Sequence, residues 1–371
     1  MAAMLAFILP GSAAAADIIR SERHVIEVTP QVTGLSSPWS FALLPDGDIL
    51  ITEKPGSLRI VRQGRLLAAP VVGLPAVAAR GQGGLLDVVA HPDFGRNRWI
   101  YWSYSAGEAG STNIGTEVAR GKLICRTDSC ELSDVEVLFR QTPKVGTAFH
   151  FGSRLVFGRD GHLFITLGDR GQQDEAQNLG NHLGKVLRIT DSGGVPADNP
   201  FVNRAGARPE IYSYGNRNVQ GAVLHPVTGQ LWAHEHGPQG GDELNIITAG
   251  ANYGWPVITF GRTYGKGEQI GEGTDRADVA KAQKTWVPSV APSGLTFYTG
   301  ERFANWRGNA FLGTLREQRL IRLTLDGSRV TGEERMEGFG RIRTVRVSTD
   351  GYLYVLSESK NTLYRLAPST P

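Results

Sequence analysis

Three short stretches carry residues that could do chemistry. In "VGTAFHFGSRLVF" (Val145 to Phe157) a single histidine, His150, stands between two phenylalanines just ahead of an apolar run, and Asp169 of "GDRGQ" follows beyond the next turn. A hairpin returns the chain on itself, so the carboxylate can come back beside the imidazole, fix its tautomer and make it a general base. The plainer alternative is a core histidine packed between Phe149 and Phe151 and bonded to a backbone carbonyl.

In "YGNRNVQG", Arg217 and Asn218 lie in a glycine-flanked turn. A guanidinium beside an amide suits an oxyanion or a bound carboxylate, although a turn arginine can equally pair with a surface acid. The string "HEHGPQGGDELNIITAGANYGWP" bends its backbone at Gly-Pro and Gly-Gly, and its carbonyls, with Asp242 and Glu243 nearby, are the hard oxygens calcium prefers. His234 and His236 invite zinc instead, but alternation in a strand aligns those two without supplying a third ligand. Calcium is therefore preferred. Downstream, Arg341 and Arg343 are spaced to share one side of an extended segment, which is unfavourable unless an anion such as a ligand with several carboxylates lies between them; a solvated pair on an outer strand is the commoner alternative.

These residues are set in a repeating frame. "FALLPDGDILITE", "DVVAHPDFGRNRWIYWSYS", "RLVFGRDGHLFITLGD", "GAVLHPVTGQLWAHEHG" and "TVRVSTDGYLYVLSE" each read as strand, tight turn, strand. A sixth unit beginning "GLTFYTGERFANW" has the same rhythm with a longer turn. Helical periodicity is nearly absent between them, and 47 glycines suit many short strands. The expectation is an all-β six-bladed propeller, residues 17–371, with its site on the loop face above the central channel.

The 371 residues carry 39 Lys and Arg against 36 Asp and Glu, a net charge of +3, with the basic residues scattered. No nucleic-acid or membrane-surface footprint appears. Residues 1–16, "MAAMLAFILPGSAAAA", hold an apolar segment too short to span a bilayer, followed by small residues. They read as a signal peptide, though without a positive charge before the apolar core, and imply a periplasmic or secreted protein. Cys125 and Cys130, the two cysteines, flank the turn "RTDS" and are expected to form a disulfide. No glycine fingerprint for a nicotinamide cofactor is present.

Together, "GQGGLLDVVAHPDF", "HFGSRLVF", "GDRGQ", "GNRNVQG", "HGPQGGDELN", "NYGWP" and "RIRTVRVSTDGYLYV" resemble the soluble quinoprotein sugar dehydrogenases. This is the glucose/sorbosone dehydrogenase family that uses pyrroloquinoline quinone (PQQ), and the likeness, running from about Pro38 to Leu366, is to its bacterial aldose sugar dehydrogenases. The resemblance implies oxidation of aldose sugars at C1 to the lactone, with hydride transfer to calcium-bound PQQ. It implies His150 as general base, Asp169 as its orienting partner, Gln82 against sugar and histidine, and Arg217 over the reacting quinone oxygen. Asn218, Arg341 and Arg343 would hold the cofactor. Arg316 stands where the family pattern has a lysine on the cofactor, keeping the charge with a different geometry.

By the same likeness, the Gly237 and Pro238 carbonyls would bind the calcium ion that holds PQQ, and Glu243 with Tyr253 a second, structural calcium. An external electron acceptor is implied. Monomer and homodimer stay equally open. Two other functions compete: a calcium-dependent propeller lactonase, which needs carboxylates or amides ringing a central metal, and a non-catalytic binding propeller.

Overall fold

The computed structural model describes residues 17–108 and 110–369; the expected signal peptide lies outside the described residues. Six antiparallel sheets form, one for each unit read from the sequence. Blade 1 runs through Pro38–Leu43, Ile49–Glu53, Ser57–Arg62 and Arg65–Leu66, and blade 2 through Leu85–Ala90, Trp99–Gly107, Ile114–Cys125 and Cys130–Arg140. Blade 3 comprises Leu155–Phe157, Leu163–Thr166, Lys185–Ile189 and Ile211–Tyr214, and blade 4 Val219–Leu224, Leu231–Glu235, Asp242–Ile247 and Lys284–Trp286. Blade 5 is Pro292–Phe297, Ala310–Thr314, Leu320–Asp326 and Arg329–Met336.

Blade 6 starts with Ile342–Val347, Leu353–Ser357 and Thr362–Pro368 and is completed by strands from the other end of the chain, Val25–Val32 and Asp17–Arg20. Ile26 pairs with Pro368 and Val32 with Leu363, so the two ends close the ring. Closure turns the free edge of each innermost strand toward the central channel, where it is sheltered from pairing with another chain.

The turn residues explain why each unit folds locally as a hairpin. In blade 1, Leu44 and Asp48 exchange a backbone bond (2.9 Å) around Gly47, whose φ of +87° suits glycine. Gly161, Gly229 and Gly351 hold the corresponding left-handed position in blades 3, 4 and 6. The alternating apolar residues of each strand then meet the neighbouring blade. Trp232, Leu244 and Trp286 of blade 4, for example, pack on Phe297, Leu312 and Ile321 of blade 5. The core therefore consists of the layers between sheets. Cys125 and Cys130 face each other at the end of a blade 2 hairpin and are disulfide-bonded, as expected.

One buried cation ties the inner strands across the channel. Arg154, 3% exposed, donates through Nε to Gln220 O (2.7 Å), through Nη1 to Thr344 Oγ1 (3.0 Å) and through Nη2 to Arg343 O (2.7 Å). It also lies 3.4 Å from Asp87 Oδ1 and stacks over the Trp39 ring. Blades 1, 2, 4 and 6 are thus bound to blade 3 by a single guanidinium. Burial lowers its pKa to about 10, with Asp87 opposing the shift, so it stays charged at neutral pH.

Candidate active site

Antiparallel hairpins put the start of each innermost strand and the end of the next strand at the same face. The candidate residues occupy those positions. Gln82, His150, Arg217, Asn218 and Arg341 precede inner strands; Asp169, Gly237, Pro238 and Arg316 follow second strands. Their clustering is a consequence of the hairpin repeat.

His150 and Asp169 meet as expected, with Nδ1 2.6 Å from Asp169 Oδ1. An ionised Asp169 can only accept, so Nδ1 carries the proton and Nε2 keeps its lone pair. The Asp169 carboxylate is 1% exposed and also receives Gly171 N (2.8 Å) and the Trp255 indole Nε1–H (2.8 Å). Burial pulls its pKa up, but the bond and charge of His150, the Gly171 N–H and the Arg217 charge prevail and hold it below the usual carboxylate range. His150 is lowered by burial and by the Arg217 and Arg170 guanidiniums, against the upward pull of Asp169. The pair is thus a neutral imidazole on a carboxylate, the state a proton acceptor requires.

The backbone around the imidazole is constrained. His150 has φ +58° and Ser153 φ +94°, conformations that cost about 1–3 kcal/mol each for non-glycine residues. Gly168 allows the close approach of the two segments: a Cβ there would lie 2.1 Å from His150 O. Gln82 Oε1 accepts the His150 N–H (2.8 Å), and the buried Arg170 braces the loop by donating to Phe149 O (2.8 Å) and to Ile114 O (2.8 Å).

Two adjoining cavities share Gln82. The larger, about 550 Å³, is lined by His150, Asp169, Arg217, Pro238 and Trp255, with apolar walls from Phe149, Tyr264 and Ile270. The smaller, about 170 Å³, is lined by Asn218, His236, Arg341 and Arg343, with Trp39 and Phe151 as apolar faces. Arg316 lines neither; it is exposed, and its backbone N–H bonds to Val290 O (3.3 Å).

The arginine pair has an anion beside it that belongs to the protein. Glu358 lies 3.0 Å from Arg343 and 3.5 Å from Arg341. Lys54 lines the same cavity, giving three cations to one carboxylate. The local charge stays positive, and Arg343 Nε is buried without a hydrogen-bond partner. Lys54 and Glu358 were missed by sequence reasoning, as were Trp39, Gln220 and Trp255. Their position just after a second strand would have pointed to Lys54 and Glu358.

In the "HEHGPQGGDELN" segment the Asp242 carboxylate accepts Gly237 N (2.9 Å), Val290 N (2.8 Å), Ala291 N (2.9 Å) and Ser289 Oγ (2.7 Å), and so it clamps the loop. His234 and His236 direct Nε2 at the Gly294 and Pro292 carbonyls of blade 5. Among the described residues no group of three or more His, Cys, Asp or Glu could hold a metal. Gly237 O accepts Arg217 Nη1 (2.9 Å). Glu243 faces Glu235 across the ladder, and both line a small void with Tyr253, whose hydroxyl is engaged by Ile246 O (2.6 Å) and Thr248 N (2.8 Å).

Among the described residues no helix is long and apolar enough to cross a membrane. The profile of the Glucose / Sorbosone dehydrogenase family matches residues 35–365. The chain is 45% identical over 341 residues to the aldose sugar dehydrogenase YliI of Escherichia coli, covering 90% of this chain and 91% of that protein. The structure matches the apo-form of the soluble aldose sugar dehydrogenase from Escherichia coli with a TM-score of 0.88, at 43% identity over 93% of this chain and 100% of the other. It matches the PQQ-bound aldose sugar dehydrogenase from Streptomyces coelicolor with a TM-score of 0.76, at 28% identity over 93% and 98%. A six-bladed propeller that brings a histidine–aspartate pair and an arginine cluster to one face, matched along nearly all its length, belongs to the glucose/sorbosone dehydrogenase family.

Proposed function

We propose that the protein is a PQQ-dependent aldose sugar dehydrogenase that oxidises C1 to the lactone, with His150 as general base. The observation that carries this reading is the pairing of the neutral His150–Asp169 couple with an adjoining, net-positive cavity. The lining of the second cavity suits the carboxylates of a planar tricarboxylate whose quinone end reaches the larger cavity beside it. Arg341, Arg343 and Lys54 outnumber Glu358 there, Arg343 Nε lacks a partner, and the Trp39 and Phe151 rings offer apolar faces. When bound, PQQ supplies a quinone that takes up the C1 hydrogen with its electron pair, and calcium draws electron density from that quinone.

The chain's own residues do the rest. His150 Nε2 receives the anomeric hydroxyl proton, while Asp169 keeps Nδ1 protonated and steadies the imidazolium that forms. Gln82, bonded to the His150 backbone and lining both cavities, sits where it can hold the sugar against the base. Arg217, lining the larger cavity, offers positive charge to a developing oxyanion. Asn218, Arg341 and Arg343 hold the cofactor, with Arg316, next to the lining residue Leu315, as a further cation. Phe149, Tyr264 and Ile270 keep water from the reacting carbon.

Calcium has the Gly237 and Pro238 carbonyls as its candidate oxygens; its entry competes with the Arg217 bond to Gly237 O. A second cation suits Glu243 and Tyr253, which line one small void. Burial, reinforced by Glu235, pushes the Glu243 carboxyl up to about 8, and burial pushes Glu235 up to about 7, so a bound cation would relieve both. The electrons leave to an external acceptor, and the disulfide suits an exported, periplasmic or secreted protein. The lactonase alternative is not favoured, because a guanidinium, Arg154, occupies the channel where that chemistry requires a ring of metal ligands.

The test is reconstitution of the purified protein with PQQ and calcium, followed by aldose-dependent dye reduction. Turnover that needs the cofactor supports the reading. Ester hydrolysis with calcium alone would replace it with the lactonase.

A further inference from the structure

We propose that Trp255 is a positioning residue for the His150–Asp169 pair: its indole N–H holds the outer oxygen of Asp169 while its ring supports Arg217, so one side chain sets base and cation in register. This rests on the reading of His150 as the base. Asp169 has two oxygens with different duties. Oδ1 is shared by His150 Nδ1 (2.6 Å) and Gly171 N (2.8 Å), whereas Oδ2 takes the Trp255 Nε1–H (2.8 Å). With the carboxylate 1% exposed, water cannot readily replace that donor. The Arg217 guanidinium lies 5.4 Å from the indole centroid, within cation–π range.

The indole is itself anchored. Trp255 N donates to Gly215 O (2.8 Å), and Trp255 O accepts Gln177 Nε2 (2.7 Å). Gln177 and Asn252 are joined by two further bonds of 3.0 and 2.8 Å. Trp255 comes from the long connection in blade 4, whereas His150 and Asp169 belong to blade 3. The indole is therefore the strut that fixes the proton-accepting pair against the neighbouring blade.

The charged groups facing His150 are Asp169, Arg217 and Arg170, and Gln82 approaches as a neutral amide. Removing the indole donor leaves the Asp169 charge less satisfied, so the carboxylate binds the imidazolium more strongly and the imidazole becomes more basic. The test is NMR titration of the His150 ring in the cofactor-free protein, comparing wild type with Trp255→Phe. The expected result is an upward shift of the His150 midpoint in the variant. With PQQ, calcium and aldose, kcat of the variant falls by about tenfold at pH 6 and largely recovers above pH 8, with KM little changed.

A folded Trp255→Phe protein whose His150 titrates as in wild type, or lower, overturns the proposal. A second readout needs no variant: the wild-type Trp255 indole N–H resonance should move with the His150 midpoint, and a resonance indifferent to that titration overturns it equally. A wild-type rate profile unrelated to the His150 midpoint would sink the base assignment, while both cofactor-free titrations still judge the strut.

Discussion

Replacing Arg154 with methionine is expected to weaken both the ring and its cofactor site. The guanidinium makes bonds of 2.7, 3.0 and 2.7 Å to Gln220 O, Thr344 Oγ1 and Arg343 O, and it is 3% exposed. Methionine fills similar volume but donates nothing, so the two backbone carbonyls are left buried without this donor and Asp87 keeps only Arg346 as a cationic partner (3.1 Å). Breaking a buried pair of this kind costs about 3–5 kcal/mol. At ~2 cal/mol/K of unfolding entropy per residue, a chain of this length loses about 4–7 °C in Tm. Calorimetry measures the shift, and titration of PQQ into the cofactor-free variant measures whether affinity falls with it, because Arg154 holds the backbone of Arg343 itself. Arg154→Lys keeps the charge without the fork and should fall between the two. A Tm within about 1 °C of wild type, with unchanged cofactor affinity, would refute the reasoning.

Further expectations concern the reaction itself. His150→Ala should abolish aldose-dependent dye reduction while leaving PQQ binding, followed by fluorescence quenching, largely intact. Asp169→Asn should lower kcat by about 10³–10⁴, because the amide no longer enforces the Nδ1–H tautomer. Burial and the Arg217 and Arg170 charges lower the His150 pKa, so with the proposed neutral imidazole as base, wild-type rates should persist below pH 6.5 and fall only on further acidification, as a pH–kcat profile would reveal. Arg343→Ala should weaken PQQ binding by tenfold or more, whereas Glu358→Gln should tighten it, because the built-in competitor for the arginines is removed; binding titrations check both signs.

The hairpin repeat was legible because glycine turns and period-two alternation are local properties, and all six units form the sheets expected of them. His150 and Asp169 were legible for the same reason: they belong to one hairpin. Contacts set by the order of blades around the ring were not. Glu358 meets Arg343 within blade 6, but Lys54 joins them only because the ring closes blade 6 onto blade 1. Trp255 reaches Asp169 through a long connection whose path no periodicity announces. The clamp made by the Asp242 carboxylate is equally hidden, since nothing local shows that Val290 and Ala291 will turn their N–H groups toward it.

The shared construction of the last sheet has a consequence for the order of events in folding. Thr362–Pro368 lies between Leu353–Ser357 and Val25–Val32, so this sheet is complete only when segments far apart in the chain have paired. Such a long-range pairing forms slowly, and Arg343 and Glu358 are carried by the sheet that must wait for it.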